Sequence, residues 1–144
     1  MEDLGGPLTR EESDLKLADF AAAFERNSYG KWAVEDSEGQ FLGYAGPMPS
    51  RDKNHPLGDH VEMGWRFNRS TWGNGYATEA ARAAIKDAFQ RVGLPLIYAY
   101  TAPDNFRSQA VMRKLHLERK RDLDFTETER ARTPRKGLVW IARP

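Results

Sequence analysis

Apolar residues recur at helical spacing near the start of the chain. In this segment they share one face: Leu17, Phe20, Ala21 and Phe24. Thr9 and Glu12 have the spacing of a capping box just before them. Together the two patterns predict a helix over 10–26.

Two further helices are predicted after turns that contain glycine or proline. From Ala77 to Val92 the apolar residues, most of them alanine, keep helical spacing, and Gly93 and Pro95 end the segment. Because an alanine face lets a helix approach its neighbour closely, we expect this helix to lie near a sheet. Pro103–Asn105 opens the third helix, and its shared face comprises Ser108, Val111, Met112 and Leu115.

Other segments have the patterns of strands. Six are predicted: 31–36, 40–45, 60–67, 96–101, 118–126 and 137–142. The first two form a hairpin, and the third alternates apolar with polar residues. Gly64 inside that strand indicates a bulge or a close backbone approach. The continuous apolar run at 96–101 is typical of a strand covered on both faces.

Two segments are predicted to be irregular. Gly46 to Asp59 contains three prolines, two glycines and no apolar period, so we expect a long loop. Glu127 to Lys136 mixes charges of both signs and is expected to be a solvated hairpin tip. The order of helix, hairpin, strand, helix, strand, helix and hairpin predicts a mixed α/β fold.

Composition narrows the classes of function. We expect residues 1–144 to form a single domain, since the chain is 40% hydrophobic and 30% charged. A net charge of +1 gives no reason to expect nucleic acid as a partner, and no segment resembles a membrane span. With no cysteine, a disulfide, a thiolate metal site and a catalytic thiol are excluded. His55, His60 and His116 lack metal-ligand spacing, so no metal is expected. We expect a cytoplasmic location.

The stretch Trp72–Ala80 is the strongest candidate binding motif. Gly73 and Gly75 lie between a predicted strand and a predicted helix. Backbone N–H groups at such a turn, together with the helix dipole, favour a bound phosphate. The turn lacks the Gly-Lys-Ser/Thr of a Walker loop and the third glycine of a dinucleotide fingerprint. Taken alone, the two glycines favour an ordinary tight turn, and it is their position between the strand with Glu62 and Gly64 and an alanine-faced helix that supports a phosphate site.

Four motifs in sequence order resemble those of GNAT N-acetyltransferases, in particular the RimJ/RimL branch. They are Glu62–Phe67, Trp72–Ala80, Thr101–Ser108 and Lys114–Leu117, and the resemblance runs from about residue 8 to the end. It implies a mostly antiparallel sheet with helices on both faces. It also implies transfer of an acetyl group from acetyl-CoA directly to an amine, either a protein N-terminus or a small molecule.

The resemblance assigns acetyl-CoA to one set of residues. They are Phe67, Trp72, Gly73, Asn74, Gly75, Tyr76, Ala77, Thr78, Asn105 and Ser108. The pyrophosphate would bind main-chain N–H groups of 73–78. The pantetheine arm would lie between the strands at 60–67 and 96–101, which a bulge splays apart, and would pair with main chain near Phe67.

The resemblance also implies the catalytic residues Glu62, Asn105 and Ser108. Glu62 would be the general base, although it could also be only the polar residue of a half-exposed strand. Asn105 would bind pantetheine or a water and Ser108 would lie beside the sulfur, while Asp104 or Asn105 could simply cap the helix. Met112 occupies the family's usual tyrosine position and cannot donate a proton, so no general acid is assigned.

Several alternatives stay open. GNAT proteins normally begin with a strand and a helix that would precede residue 8, so an N-terminal truncation is expected here. A homodimer could repair the sheet edge that such a truncation exposes. The missing elements and Met112 also allow a CoA-binding module without turnover or, less favoured, a structural or dimerisation domain. His116 replaces a family glycine at a helix end, where a left-handed conformation is expected.

Overall fold

The predicted alternation of helices and strands is present in the computed structural model, which describes residues 9–127 and 134–144. In chain order the elements are α1 (Arg10–Asn27), β1 (Trp32–Glu35), β2 (Phe41–Ser50), β3 (His60–Phe67), α2 (Tyr76–Asp87), β4 (Ile97–Thr101), α3 (Phe106–Lys114), β5 (Glu118–Arg119), β6 (Phe125–Glu127) and β7 (Arg135–Ala142). A π-helical turn, Ala88–Val92, continues α2 as far as Gly93, which is left-handed with φ 80°. None of the helices in the described part of the chain is long and apolar enough to cross a membrane.

The strands form one seven-stranded sheet. Its order is β1-β2-β3-β4-β7-β5, and β6 also pairs with β7. All neighbouring strands are antiparallel except β3 and β4, which run parallel. The prediction of a mixed, mostly antiparallel sheet is therefore confirmed.

The strands β3 and β4 part almost as soon as they meet. In the described residues they pair at one position, Glu62 with Tyr98. Beyond this pair β4 follows β7 through five consecutive positions, whereas β3 follows β2 through eight. The expected splay between the two strands is present, and it divides the sheet into two halves.

Helices cover both faces of the sheet, as predicted. On one face Trp65 of β3 joins the core cluster with Ala81 and Ala84 of α2, both of which are fully buried. These alanines let the helix lie close to the sheet. On the other face Phe20 of α1 meets the ring of Tyr44 edge-on, with centroids 4.8 Å apart.

The predicted start of the first helix is confirmed in detail. The Thr9 side chain accepts a hydrogen bond from the Glu12 N–H at 3.1 Å, and the Glu12 carboxylate accepts one from the Thr9 N–H at 3.2 Å. The N–H groups of Thr9 and Glu12 at this helix end are thus satisfied, as a capping box requires.

The loop predicted for 46–59 was wrong in its first part, because β2 continues to Ser50. The carbonyl of Leu42 accepts a hydrogen bond from Asn68, at the end of β3. Because backbone groups alternate along a strand, Pro47 and Pro49 direct their nitrogens away from β3. That edge of β2 lies beyond its pairing with β1, which reaches only Ala45. The missing N–H groups therefore remove no ladder hydrogen bond.

The strand predicted over 118–126 was also wrong as a single element. A 3₁₀ turn, Arg121–Leu123, separates β5 from β6, and both short strands pair with β7. Most of the predicted hairpin tip, residues 128–133, lies outside the described residues.

Gly64 shows close approach and no bulge against β2. The ladder between β2 and β3, both wholly within the described residues, keeps one register from Gly43–Phe67 to Ser50–His60. A Cβ atom on Gly64 would lie 2.8 Å from the Nζ of Lys31. The glycine therefore makes room for a buried lysine side chain.

Candidate active site

Two cavities meet at Trp65 and Ser108, which line both of them. The smaller, about 210 Å³, lies between the end of β3, the glycine turn and α3. The larger, about 670 Å³, opens where β3 and β4 part, and Glu62 and Asn105 lie on its wall. The two cavities therefore adjoin at the point where the sheet parts, with the glycine turn on one and Glu62 on the other.

The glycine turn has the geometry of an anion site. Gly73 and Gly75 are left-handed, with φ of 84° and 78°, and no described atom lies within 4 Å of a Cβ built on either. Backbone conformation therefore favours glycine at both positions, since a side chain there would be strained. Gly75 begins α2, and no side chain of the described residues caps the N–H groups of the first turn. These groups fit a phosphate at the positive end of the helix dipole.

Most of the predicted acetyl-CoA residues lie around the smaller cavity. They are Phe67, Trp72, Gly73, Gly75, Tyr76, Ala77, Thr78 and Ser108. Asn105 lies on the larger cavity instead. Asn74 is not a lining residue of either cavity within the described chain, and its amide donates to the carbonyl of Thr71 at 2.9 Å. That bond holds the turn in shape.

Trp72 ties the turn to the end of β3. Its indole Nε1 donates to the carbonyl of Phe67 at 3.1 Å. The Arg107 guanidinium lies over the same ring, 4.2 Å from the centroid. Since a carbonyl has two lone pairs, Phe67 can still accept a hydrogen bond from a ligand.

Sequence reasoning missed the basic side chains at the smaller cavity. None of the residues predicted to bind acetyl-CoA is basic, whereas Arg107 and Lys114 of α3 both line this cavity. With Val111 they occupy one face of α3 beside Ser108, at helical spacing. The helical spacing of these polar residues relative to Ser108 could have identified them from the sequence.

The start of α3 positions Asn105 and Ser108. Asn105 is the N-cap, and its Oδ1 accepts from the Ser108 N–H at 3.2 Å, so the capping interpretation holds. Ser108 is buried, at 5% exposure, where the cavities meet. Met112, one turn later, is buried on the wall of the larger cavity.

Glu62 shares its cavity with two groups that sequence reasoning did not select, Lys31 and Tyr100. The Tyr100 hydroxyl is hydrogen-bonded to the Glu62 carboxylate. Burial and then the negative charge of Glu62 raise the pKa of Tyr100, so the phenol stays protonated and can donate. Burial lowers the pKa of Lys31, against the opposing effect of Glu62.

Two of the three histidines lie together. The rings of His55 and His60 have centroids 4.7 Å apart, while His116 lies at the end of α3 with φ 58°. Across residues 9–127 and 134–144, no group of three or more His, Asp or Glu is placed to hold a metal ion.

A sequence comparison decides the family. The family model described as "Acetyltransferase (GNAT) domain" matches residues 1–118. The chain belongs to the GNAT acetyltransferase family. As a GNAT protein it is expected to use acetyl-CoA, which agrees with the anion geometry of the glycine turn.

Individual relatives agree with this assignment. The Aspergillus fumigatus protein named FsC-acetyl coenzyme A-N(2)-transacetylase is 36% identical over 116 residues, or 78% of this GNAT chain and 49% of the relative. The chain spans about half the length of the curated relatives it matches.

Solved structures share the fold. The GNAT-family acetyltransferase from Bacillus anthracis has a TM-score of 0.74 at 23% identity, covering 96% of this chain and 76% of that one. The ribosomal-protein-S5-alanine acetyltransferase from Vibrio fischeri has a TM-score of 0.73 at 16% identity, covering 94% and 72%.

Proposed function

We propose that this GNAT chain transfers an acetyl group from acetyl-CoA directly to a primary amine. The observation that carries the proposal is the position of Ser108, where a cavity beside a helix N-terminus meets a cavity that contains the Glu62 carboxylate. A thioester with a charged tail and an amine with a base beside it would meet at this point.

In this proposal the smaller cavity binds the cofactor. N–H groups of 73–78 hold the pyrophosphate, and Arg107 and Lys114 offset its negative charge. The pantetheine arm follows the gap between β3 and β4 past Phe67, with the acetyl group beside Ser108. Asn105, which caps α3, binds the pantetheine amide or a water.

The chemical step uses the larger cavity. An incoming ammonium group gives a proton to the Glu62 carboxylate, since only the neutral amine has a lone pair for attack. The nitrogen attacks the acetyl carbon, the C–N bond forms, the C–S bond breaks, and CoA leaves as the thiolate. The second proton that the nitrogen must lose to become a neutral amide goes to this thiolate. With no cysteine in the chain, transfer through an acetyl-cysteine is excluded.

The acceptor class rests on the relatives. The fungal relative is named for transfer to an N(2) position, and the Vibrio fischeri structure is named for an alanine of a ribosomal protein. Both names indicate amine acceptors, so we propose an α-amino group on a peptide or small molecule. A RimJ/RimL-like role is the peptide form of this proposal. The CoA-binding module without turnover is not favoured, because relatives across the family are named as acetyltransferases.

The test measures release of free thiol from acetyl-CoA in the presence of a panel of amines. The panel contains an alanine-led peptide, a serine-led peptide, free ornithine and spermidine. We expect at least one of them to release CoA, and mass spectrometry to find the acetyl group on its nitrogen. CoA binding without release by any amine would support the module without turnover, and failure to bind acetyl-CoA would contradict the proposal at its centre.

Glu62→Gln tests the assignment of the base. We expect kcat to fall about a hundredfold or more, with the KM for acetyl-CoA unchanged, since the amide cannot accept the proton. Glu35→Gln, at an exposed position of β1, is the matched control and keeps the wild-type rate. Equal rates for wild type and Glu62→Gln would remove Glu62 from the mechanism.

A further inference from the structure

A chain of hydrogen bonds runs away from Glu62 into the protein. The Tyr100 hydroxyl bonds to the Glu62 carboxylate, and the His60 Nε2 lies 3.2 Å from the same hydroxyl. The other ring nitrogen, Nδ1, lies 2.7 Å from the carbonyl of Gly58. His60 is buried, at 8% exposure, whereas Tyr100 and Glu62 are half-buried on the wall of the larger cavity.

The strand geometry places these groups together. His60 and Glu62 are two residues apart on β3, so their side chains leave the same face of the sheet. Glu62 pairs with Tyr98 of the parallel strand β4, and Tyr100 lies two residues further along on the same face as Tyr98. The side chains of His60, Glu62 and Tyr100 thus leave one face of the sheet, and the rings of His60 and Tyr100 lie 5.7 Å apart between centroids.

The direction of these hydrogen bonds follows from the groups at the two ends of the series, the Gly58 carbonyl and the Glu62 carboxylate. A carbonyl only accepts, so the Nδ1 of His60 carries a hydrogen and donates it to Gly58. Only Nε2 can therefore change its state. With Glu62 ionised, Tyr100 donates to Glu62 and accepts from a protonated Nε2. With Glu62 protonated, Glu62 donates to Tyr100, which donates to a neutral Nε2.

These two arrangements satisfy both hydrogen bonds and contain the same number of protons. They interconvert when one proton moves from Glu62 to the Tyr100 oxygen while the proton of Tyr100 moves to Nε2. Tyrosine is neutral before and after the shift. The net result is a carboxylate restored at Glu62 and an imidazolium formed at His60.

We propose that Tyr100 and His60 form a proton relay that takes the proton of the acceptor ammonium away from Glu62. This inference rests on the proposed acetyl transfer, in which Glu62 is the base. The ammonium N–H bond breaks and the proton joins Glu62. The shift through Tyr100 then deposits a proton on His60, which returns a proton to water after the product has left. Because both residues act through Glu62, they are positioning residues.

Aromatic rings surround the imidazole of His60. Three aromatic rings face it: His55 at 4.7 Å, Tyr98 at 5.5 Å and Tyr100 at 5.7 Å between centroids. Burial and then the proximity of His60 lower the pKa of His55. His55 is therefore neutral near pH 7, and it adds no positive charge beside an imidazolium.

Charged groups on the neighbouring elements complete the setting. Glu127 of β6 lies 3.6 Å from the Nε2 of His55, and Asp52 lies within electrostatic range of the same ring. Lys31 faces Glu62 across the larger cavity. Glu127 and Asp52 thus lie near the histidine pair, and Lys31 lies near Glu62.

The alternative is that His60 and Tyr100 only pack in an aromatic cluster. Tyr98→Phe separates the two interpretations, because Tyr98 lies on the same strand and its ring also contacts His60. Its hydroxyl forms no hydrogen bond within the described residues. We expect Tyr100→Phe to lower kcat about tenfold with an unchanged KM for acetyl-CoA, and Tyr98→Phe to stay within about twofold of wild type.

His60→Gln gives the second kinetic arm. Glutamine can keep hydrogen bonds to Tyr100 but cannot take up a proton, so a packing role would be rescued and a relay would not. We expect kcat about tenfold below wild type. Because the relay acts through Glu62, adding Tyr100→Phe to Glu62→Gln should lower kcat no further. An undiminished kcat in Tyr100→Phe and His60→Gln, or a full additional loss in the double variant, would overturn the relay.

A spectroscopic arm keeps this test separate from that of acetyl transfer. Nitrogen NMR of ¹⁵N-histidine protein reads the Nε2 signal of His60, identified by its loss in His60→Gln. We expect Glu62→Gln to move this signal although the two side chains act only through Tyr100, and Tyr98→Phe to leave it in place. An unmoved signal in Glu62→Gln overturns the relay. No thiol release from wild type with any amine would contradict the acetyl transfer instead, whatever the spectrum shows.

Discussion

Asp124 stabilises the connection between β5 and β6 by hydrogen bonds to β5 and β7. Its two carboxylate oxygens accept hydrogen bonds from the Arg119 guanidinium at 2.6 and 2.8 Å, and one also accepts from the Val139 N–H at 3.0 Å. The bond to Arg119 is the main reason that the pKa of Asp124 lies below its usual value. A folded pKa below the unfolded one means that the carboxylate stabilises the fold above the unfolded pKa. The contribution is lost as the pH falls through the folded pKa.

We therefore predict that Asp124→Asn lowers the free energy of unfolding by about 1–2 kcal/mol at neutral pH. Urea unfolding at about pH 7 and about pH 2.5 checks the sign, because the deficit should shrink in acid as wild-type Asp124 becomes protonated. Asp122→Asn is the matched control, since Asp122 is exposed and lies 3.9 Å from Lys120. A deficit that is equal at both pH values would contradict this account.

Single-residue patterns identified part of the candidate site. Glu62, Asn105 and Ser108 were predicted because they lie in ordered motifs, and the structure brings them to one cavity wall. Tyr100 lies in a segment that was correctly predicted as a strand. Its bond to Glu62 depends on how two distant strands align, which periodicity along one strand does not encode. Arg107 was missed for a similar reason, because it reaches the glycine turn from another helix.

At the scale of elements, we predict that backbone strain in the glycine turn weakens CoA binding in addition to lowering stability. Gly75→Ala should destabilise the fold by about 1–2 kcal/mol, the usual cost of a left-handed conformation with a Cβ atom. It should also weaken CoA binding about tenfold or more, because relief of that strain rotates the N–H groups at the start of α2. Calorimetric titration with CoA measures the affinity, and urea unfolding measures the stability.

Gly39→Ala is the control for this prediction. Gly39 has nearly the same φ, 82°, has no described atom within 4 Å of a built Cβ, and lies in the hairpin turn between β1 and β2. It should lose similar stability and bind CoA as wild type does. If both variants bound CoA equally well, the glycine turn would not be the phosphate site.

The end of α3 offers a gain in stability. His116 is left-handed with φ 58°, and it closes the helix with two bonds, His116 N–H to Arg113 and Leu117 N–H to Met112. Such a helix end usually has glycine at this position. We predict that His116→Gly raises the free energy of unfolding by about 0.5–1 kcal/mol, since relief of strain exceeds the added freedom of the unfolded chain. Thermal unfolding should show a higher midpoint for His116→Gly than for His116→Ala, and the reverse order would refute the strain.

The elements were predictable where one local rule decided them. The capping box, the alternation at 60–67 and the left-handed histidine all express physics within a few residues. The extension of β2 through Pro47 and Pro49 depends on distant parts of the chain instead. Proline is tolerated there because, in the described residues, no strand pairs with the edge of β2 that faces away from β3 at these positions. The break at Arg121–Leu123 likewise depends on Asp124 and its bond to β7.

Across the whole molecule, the sheet consists of two halves that meet at the Glu62–Tyr98 pair in the described residues. One half contains β1, β2 and β3, and the other contains β4, β5, β6 and β7. The proposed cofactor would lie in the gap between them and contact both halves. Its binding should therefore stabilise the fold as a whole, by about 2.7 kcal/mol at a concentration one hundred times the dissociation constant.

We predict that hydrogen exchange will localise this stabilisation. Saturating acetyl-CoA should slow exchange within 64–67 at the amides of Trp65 and Phe67, which point away from β2 and have no partner strand on the β4 side in the described residues. It should also slow exchange at 73–78, where N–H groups would bind pyrophosphate. The hairpin turn at 36–40 forms its own hydrogen bonds and lies outside both cavities, so its exchange should not change. Desulfo-CoA retains the pyrophosphate and the arm but lacks the sulfur, and it should protect both segments. Adenosine alone should protect neither. Protection at 73–78 without any at 64–67 would keep the phosphate site and contradict the path of the arm between β3 and β4.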